Sequence, residues 1–257
     1  MSSQALINYS LYLADNTLIL AQRNAEWCGH GPILEQDIAL TNISLDLLGQ
    51  SRSFYQYAAQ LINEANPGAV PATEDSLAFL RDVFAFKNIL LAELPNGDWG
   101  NTILRQFFFS AYQFLLYQQL KKSPDTMLAA IAEKSLKEVT YHLRWSSEWV
   151  IRLGDGTEES HARMASALQD LWPFTGEVFE AAPFEKTAVE AGFAVDPASL
   201  KAPWLEKITE ILTEATLVVP ASGWMQTGGK EGKHSEYLGF ILAEMQFLQR
   251  AYPNATW

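Results

Sequence analysis

The chain contains very little cysteine and few basic residues. Its 257 residues include one cysteine, Cys28, so no disulfide can form within the chain and no thiolate cluster can hold a metal. Only 18 Lys and Arg residues stand against 30 Asp and Glu, which gives a net charge of -12. Nucleic acids and anionic membranes bind proteins through basic surfaces. We therefore expect neither nucleic acid nor a membrane among the partners of this chain.

Long hydrophobic runs are also missing. The most apolar stretch, residues 107–117, is interrupted by Ser110 and Gln113 and is shorter than the roughly 18–20 apolar residues that a membrane-spanning helix needs. The first residues lack the basic segment of a secretory signal peptide. We therefore expect a cytoplasmic protein. Its length and its 48% of hydrophobic residues predict a large buried core.

Apolar residues recur at helical spacing along almost the whole chain, and no segment alternates in the way a strand does. Two pairs of long helices are predicted, at about 4–64 and 101–153, and each pair has a tight turn inside it. Within the first pair, the segment 33–64 is either one helix or two helices with a kink near Gly49. Four long helices joined by one long crossover are typical of a ferritin-like bundle. We predict an all-α protein with a single ferritin-like domain over 1–257.

The other helices are predicted in the crossover and after the bundle. Thr73 followed by acidic residues resembles the start of a helix, which we expect over Glu74–Leu94. Ser123 is expected to cap the fourth long helix, with Pro124 at its first position. Additional peripheral helices are expected within about 157–252, at 157–181, 200–216 and 234–252.

A ferritin-like bundle raises the question of a di-metal centre. Such a centre takes a Glu from each of two helices and a Glu-x-x-His motif from each of the other two. In the second long helix Leu47 and Gln50 occupy the motif positions, and in the fourth helix Val139 and His142 do. The segment 101–122 contains no Asp or Glu. We therefore predict no metal ligands and no catalytic residues in this chain, with only His142 retained from the motif.

Two literal Glu-x-x-His matches lie outside the four long helices of the expected bundle. Glu158 and His161 fall in a first helical turn, where acids are common because they favour the helix dipole. Glu231 and His234 fall in a glycine-rich stretch, so we interpret both matches as chance. An independent di-metal oxygenase remains as an alternative, with an atypical ligand set drawn from Asp15, Asp46, Glu138 and His142.

The glycine-rich segment Thr227–His234 is the most unusual local feature of the sequence. Its glycines allow close approach of the backbone, and Lys230 and Lys233 add positive charge to an acidic protein. These lysines are candidates for contact with a phosphorylated ligand or an acidic partner. A solvated surface loop that leads into the next helix is an equally good interpretation.

Five segments together resemble the family of C subunits of phenylacetyl-CoA epoxidase. Similarity extends over essentially the whole chain. The segments that carry it are Asn24–His30, Asn42–Gln50, Lys137–Arg144, Thr227–His234 and Leu242–Gln246.

The resemblance implies a role in bacterial phenylacetate degradation. In that family, a di-iron A subunit epoxidises the aromatic ring of phenylacetyl-CoA, and a reductase with flavin and an iron–sulfur cluster supplies electrons from NADPH. The C subunit is expected to bind no cofactor and to act as a structural partner of the A subunit and the other epoxidase subunits. Contact of Lys230 or Lys233 with the CoA phosphates is a secondary hypothesis. A stand-alone binding module is the other alternative.

Overall fold

A computed structural model describes residues 2–221, 223–253 and 255 of the chain. Eleven α-helices and five short 3-10 segments form this part of the protein, and it contains no β-strand. The prediction of an all-α fold is confirmed. The helices are α1 (Ser2–Ala25), α2 (Leu34–Ala65), α3 (Glu74–Phe79), α4 (Leu90–Glu93), α5 (Trp99–Leu120), α6 (Thr126–Gly154), α7 (Glu158–Leu171), α8 (Pro183–Glu190), α9 (Lys201–Glu214), α10 (Glu236–Met245) and α11 (Phe247–Ala251).

The four long helices form a ferritin-like bundle. α1 lies along α2, α5 lies along α6, and contacts between α2 and α6 join the two pairs. α2 is one continuous helix through Gly49, and a methyl group at that exposed position would meet open space. The interior is filled by aliphatic and aromatic side chains, since burial of apolar surface is the main force that holds such helices together. Fully enclosed members include Tyr12, Ile43, Phe54, Phe107 and Val150.

The crossover contains less helix than the sequence predicts. Thr73 does cap α3, because its hydroxyl accepts a hydrogen bond from the Ser76 amide at 3.1 Å. The predicted helix Glu74–Leu94 is nevertheless wrong beyond Phe79. Only a 3-10 turn at Val83–Ala85 and the single turn of α4 follow it.

A carboxylate on α1 accounts for this break. Asp15 is completely buried, and its Oδ2 accepts a hydrogen bond from the Lys87 backbone amide at 2.8 Å. The same carboxylate accepts hydrogen bonds from the Arg81 guanidinium and from the Tyr55 hydroxyl. Backbone and side-chain donors of the crossover thus form hydrogen bonds to Asp15. These bonds take the place of the hydrogen bonds that the same segment would make within a continuous helix.

The peripheral helices also depart from their predicted bounds. The segment predicted at 157–181 is helical only as far as Leu171 and then continues as two 3-10 turns. α8 was not predicted. The predicted helix at 234–252 is divided between α10 and α11 at Gln246. Asp125, rather than Ser123, caps α6 through a hydrogen bond from the Leu128 amide.

Candidate functional site

A hydrogen-bonded cluster occupies the bundle interior around Gln50. The Gln50 amide nitrogen, on α2, donates to Glu138 Oε2 of α6 at 2.9 Å. Gln50 Oε1 accepts hydrogen bonds from Gln113 Nε2 and the Tyr117 hydroxyl of α5, each at 3.3 Å. We call these four residues the amide cluster. It connects three of the four long helices through neutral amide and phenol groups and one carboxyl.

Two groups of the amide cluster have shifted pKa values. Burial raises the pKa of Glu138, and the nearby Asp46 carboxylate raises it further, although the hydrogen bond from Gln50 acts in the opposite direction. Burial also raises the pKa of the Tyr117 phenol well above its usual value. Tyr117 is therefore a neutral donor at physiological pH. Glu138 binds its proton more readily than an exposed glutamate does.

The remaining motif positions offer a single imidazole. Leu47 and Val139 are completely buried apolar residues. His142 is also buried, and its Nε2 lies 3.0 Å from Asp46 Oδ2. His142 Nδ1 has no hydrogen-bond partner in the described part of the chain.

The side chains at the motif positions are not suitable ligands for a pair of iron ions. Six ligands, including four carboxylates, would have to converge between the helices. α5 supplies no carboxylate, and among the described residues no three His, Cys, Asp or Glu side chains group together as metal ligands. Asp15, from the atypical ligand set, is bound by Arg81 and Tyr55. The described side chains therefore provide no ligand set for two iron ions.

Neither literal Glu-x-x-His match forms a site. Glu158 is exposed in the first turn of α7, and His161 Nδ1 contacts the Gly154 carbonyl at 2.7 Å. Glu231 is exposed in a 3-10 turn. His234 forms an ion pair with Glu93, which lies 141 positions away along the chain.

The structure separates the two lysines of the glycine-rich segment. Lys230 is 3% exposed, and its Nζ donates to Glu185 Oε2 at 2.9 Å and to the carbonyl of Glu180 at 2.9 Å. Its amine also lies 5.1 Å from the centre of the Tyr12 ring. Both sequence-based interpretations place Lys230 at the surface. That placement is wrong, because Lys230 is buried in an ion pair with Glu185. Lys233 is exposed.

Buried carboxylates hold the glycine-rich segment in place. Glu177 accepts hydrogen bonds from the amides of Leu90 and Gly228, each at 2.8 Å. Burial raises the pKa of Glu177, although these amide donors oppose that shift. Gly229 lies so close to the crossover that a β-carbon there would come within 2.3 Å of the Asn88 carbonyl oxygen. The segment is thus an internal connection between the crossover and the periphery.

Sequence reasoning missed these carboxylates. Glu93 and Glu177 are both buried, and each stands beside strongly apolar neighbours: Leu90–Leu94 around the first, Val178 and Phe179 after the second. An acid within an apolar run is rarely left without partners. A single acidic residue within an apolar run is therefore the sequence signal that indicates these buried carboxylates.

An aliphatic stripe on α2 remains uncovered. Leu34, Ile38 and Leu45 are 71%, 51% and 59% exposed, and their spacing places them on one side of the helix. We call these three residues the α2 stripe. None of the described helices has the length and apolarity that crossing a bilayer demands. Exposed aliphatic patches of this kind occur at protein–protein interfaces.

Comparison with known proteins supplies a context for this geometry. A family model described as "Phenylacetic acid catabolic protein" matches residues 1–257. The chain is 49% identical over 252 residues to the C subunit of 1,2-phenylacetyl-CoA epoxidase from Escherichia coli (strain K12). The alignment covers 98% of this chain and 99% of that relative.

Proposed function

The chain belongs to the phenylacetic acid catabolic protein family, and from this membership we propose that it is a non-catalytic subunit of phenylacetyl-CoA epoxidase. In this role it binds and stabilises a di-iron catalytic subunit, which carries the oxygen chemistry. The chain contributes a rigid helical surface and holds no cofactor itself. Electrons reach the catalytic subunit from a separate reductase with flavin, an iron–sulfur cluster and NADPH.

The amide cluster is the observation that carries this proposal. Gln50 Nε2 and Oε1 both form hydrogen bonds, so this amide bridges helices at the position where a metal subunit would present the imidazole of its Glu-x-x-His motif. An amide is a weak ligand for iron, and the one carboxyl of the cluster, Glu138, already accepts a hydrogen bond from Gln50. The interior of this bundle therefore supports helix packing rather than catalysis.

The α2 stripe supports a partner-binding role. Burying three aliphatic side chains against another helical surface removes apolar area from water, which is the main driving force for permanent subunit interfaces. We assign this stripe to the interface with the di-iron subunit.

Contact with substrate is proposed for Lys233 alone. Its side chain is exposed, whereas the Lys230 amine is enclosed by Glu185 and backbone carbonyls. An exposed cation on a flexible side chain suits a CoA phosphate, which is a strong anion.

The proposal is tested by measuring iron content and epoxidase activity of the purified chain alone and of the chain co-expressed with the di-iron subunit. We expect no iron and no activity in the isolated chain, and both in the complex. Stoichiometric iron in the isolated chain would overturn the proposal in favour of an independent di-metal oxygenase. Failure of the two chains to co-purify would favour the stand-alone binding module.

A further inference from the structure

A cavity of about 420 Å³ lies outside the four-helix bundle. Its lining comes from the 3-10 turns that follow α7, from the 3-10 turn that precedes α9 and the first residues of α9, and from Val219, Pro220 and Met225. Pockets of this size accommodate small organic molecules. We propose that this cavity binds a small aromatic carboxylate. The cavity lining includes Trp172, Phe179, Glu180, Ala198, Lys201 and Trp204.

Three aromatic side chains supply the apolar part of the site. The ring centres of Phe179 and Trp204 are 5.2 Å apart, and those of Trp172 and Trp204 are 6.0 Å apart. The Trp204 indole is fixed because its Nε1 donates to the Phe108 carbonyl at 3.0 Å. Aromatic faces and edges favour a flat aromatic guest over an aliphatic one, since ring pairs gain energy beyond the area they bury.

The segment that contains Met225, a lining residue, is anchored to the turns after α7, so this part of the cavity is already formed in the free chain. The Gln226 amide donates to the Pro173 carbonyl at 2.7 Å. Met225 approaches Gly176 so closely that a β-carbon at Gly176 would lie 2.7 Å from Met225 Cγ. A preformed site avoids the cost of ordering a loop when the ligand binds.

The rim of the cavity carries the charge that selects an anion. Lys201 is exposed and forms no ion pair within the described residues. It is the first residue of the 14-residue helix α9, whose amino-terminal end adds a positive potential. Glu180 is the acid at the same rim and opposes an anionic ligand. The proposal therefore predicts opposite effects when the two charges are removed one at a time.

The test is calorimetric titration of the purified full chain with phenylacetate, and with its neutral analogue 2-phenylethanol. We expect a dissociation constant for phenylacetate of about 0.1–1 mM, as suits a ligand of about ten non-hydrogen atoms. Lys201→Gln should weaken phenylacetate binding about three- to fivefold, the range of a partly exposed ion pair, and leave 2-phenylethanol binding unchanged. Glu180→Gln should tighten phenylacetate binding. Lys207→Gln, on the same helix but outside the cavity, is the matched control.

A second variant locates the site. Ala198 is exposed at the cavity mouth, so Ala198→Trp should block access without disturbing the core and should abolish binding. Absence of phenylacetate binding at a ligand concentration of about 10 mM would overturn the proposal. Equal binding by the wild type and by both the Lys201 and Ala198 variants would also overturn it. If phenylacetate does not bind and Ala198→Trp weakens assembly with the di-iron subunit, the cavity receives a partner side chain instead.

Discussion

His234 forms a buried ion pair with Glu93, with 2.8 Å between Nδ1 and Oε2. Both side chains are almost completely enclosed, at 1% and 0% exposed. The second ring nitrogen, Nε2, lies 3.0 Å from the Phe86 carbonyl. Because a carboxylate and a carbonyl can only accept, both ring nitrogens must carry protons. His234 is therefore an imidazolium that fastens the glycine-rich segment to α4.

This ion pair predicts a loss of stability at alkaline pH. Burial disfavours the imidazolium and lowers the pKa of His234. The hydrogen bond to Glu93, the charge of Glu93 and the hydrogen bond to the Phe86 carbonyl have a larger, opposite effect, so the pKa of His234 is raised above its usual value. The contribution is complete below the unfolded pKa of about 6.5 and disappears as the pH rises through the folded pKa.

Urea unfolding of the wild type and His234→Gln from pH 5.5 to 9 measures this effect. The difference in free energy of unfolding between the two proteins should shrink with rising pH, by at most about 1.4 kcal/mol per pH unit. His30→Gln, which changes an exposed histidine, should follow the wild type. Parallel curves for His234→Gln and the wild type would show that the ring is not charged in the fold.

Loss of the Lys230 amine is predicted to destabilise the chain. Lys230→Met leaves Glu185 as a buried carboxylate without its charge partner, which typically costs about 3–5 kcal/mol. Denaturant unfolding measures the loss, and Lys233→Met is the control, expected within about 0.5 kcal/mol of the wild type. Adding Glu185→Gln to Lys230→Met should restore part of the stability. No recovery in the double variant would mean that the lost packing of the lysine stem, rather than its charge, matters.

A second carboxylate in the amide cluster is predicted to be unfavourable at neutral pH. Gln50→Glu places a like charge beside Glu138, whose pKa is already raised by burial. We expect the free energy of unfolding to fall by about 1–3 kcal/mol at pH 8, and this loss should shrink as the pH is lowered, because protonation of either carboxyl removes the repulsion. The exposed substitution Gln118→Glu on α5 is the control. A pH-independent loss would contradict the electrostatic explanation.

The α2 stripe is predicted to control assembly. Leu45→Lys should weaken binding of the di-iron subunit at least about tenfold, because a charge would have to be desolvated at the interface. It should leave the melting temperature of the isolated chain nearly unchanged, since Leu45 is 59% exposed. Val70→Lys, at a position that is 93% exposed on the crossover, is the matched control. Normal assembly of Leu45→Lys would place the interface elsewhere.

Lys233 is predicted to affect substrate binding in the assembled enzyme. Lys233→Ala should raise the KM for phenylacetyl-CoA about two- to fivefold without changing kcat, because an exposed ion pair contributes modestly and equally to substrate and transition state. Lys122→Ala, in the turn just after α5, should have no effect on the KM. An unchanged KM in the Lys233 variant would remove this residue from the substrate path.

The sequence predicts those features that depend on neighbouring residues. Helical periodicity identified the long helices to within a few residues, and Thr73 marked the start of α3 because capping is a local interaction. From the sequence, Gly49 made a kink in α2 possible. The helix passes through it because the packed faces on either side outweigh the low helix propensity of glycine.

Features that depend on distant residues were not predicted. The end of α3 and the extended segment after it follow from Asp15, which is far away in sequence and binds Arg81 and Lys87. Lys230 looked like a surface lysine because its partner Glu185 is also remote. The interior positions of Leu47 and Val139 were predictable, because helix register places them at the motif positions. The hydrogen bonds that join the side chains of the amide cluster were not predictable, because they connect residues that are distant in sequence.

The connection between α4 and the glycine-rich segment also imposes an order on folding. A chain leaves the ribosome from its amino terminus, so Glu93 emerges about 140 residues before His234 and the Ser235 amide that it binds. Until then Glu93 accepts a hydrogen bond from Asn88 but lacks its two donors from the carboxyl-terminal segment. The carboxyl-terminal segment therefore completes the hydrogen bonding of Glu93 only after almost the whole domain has been synthesised.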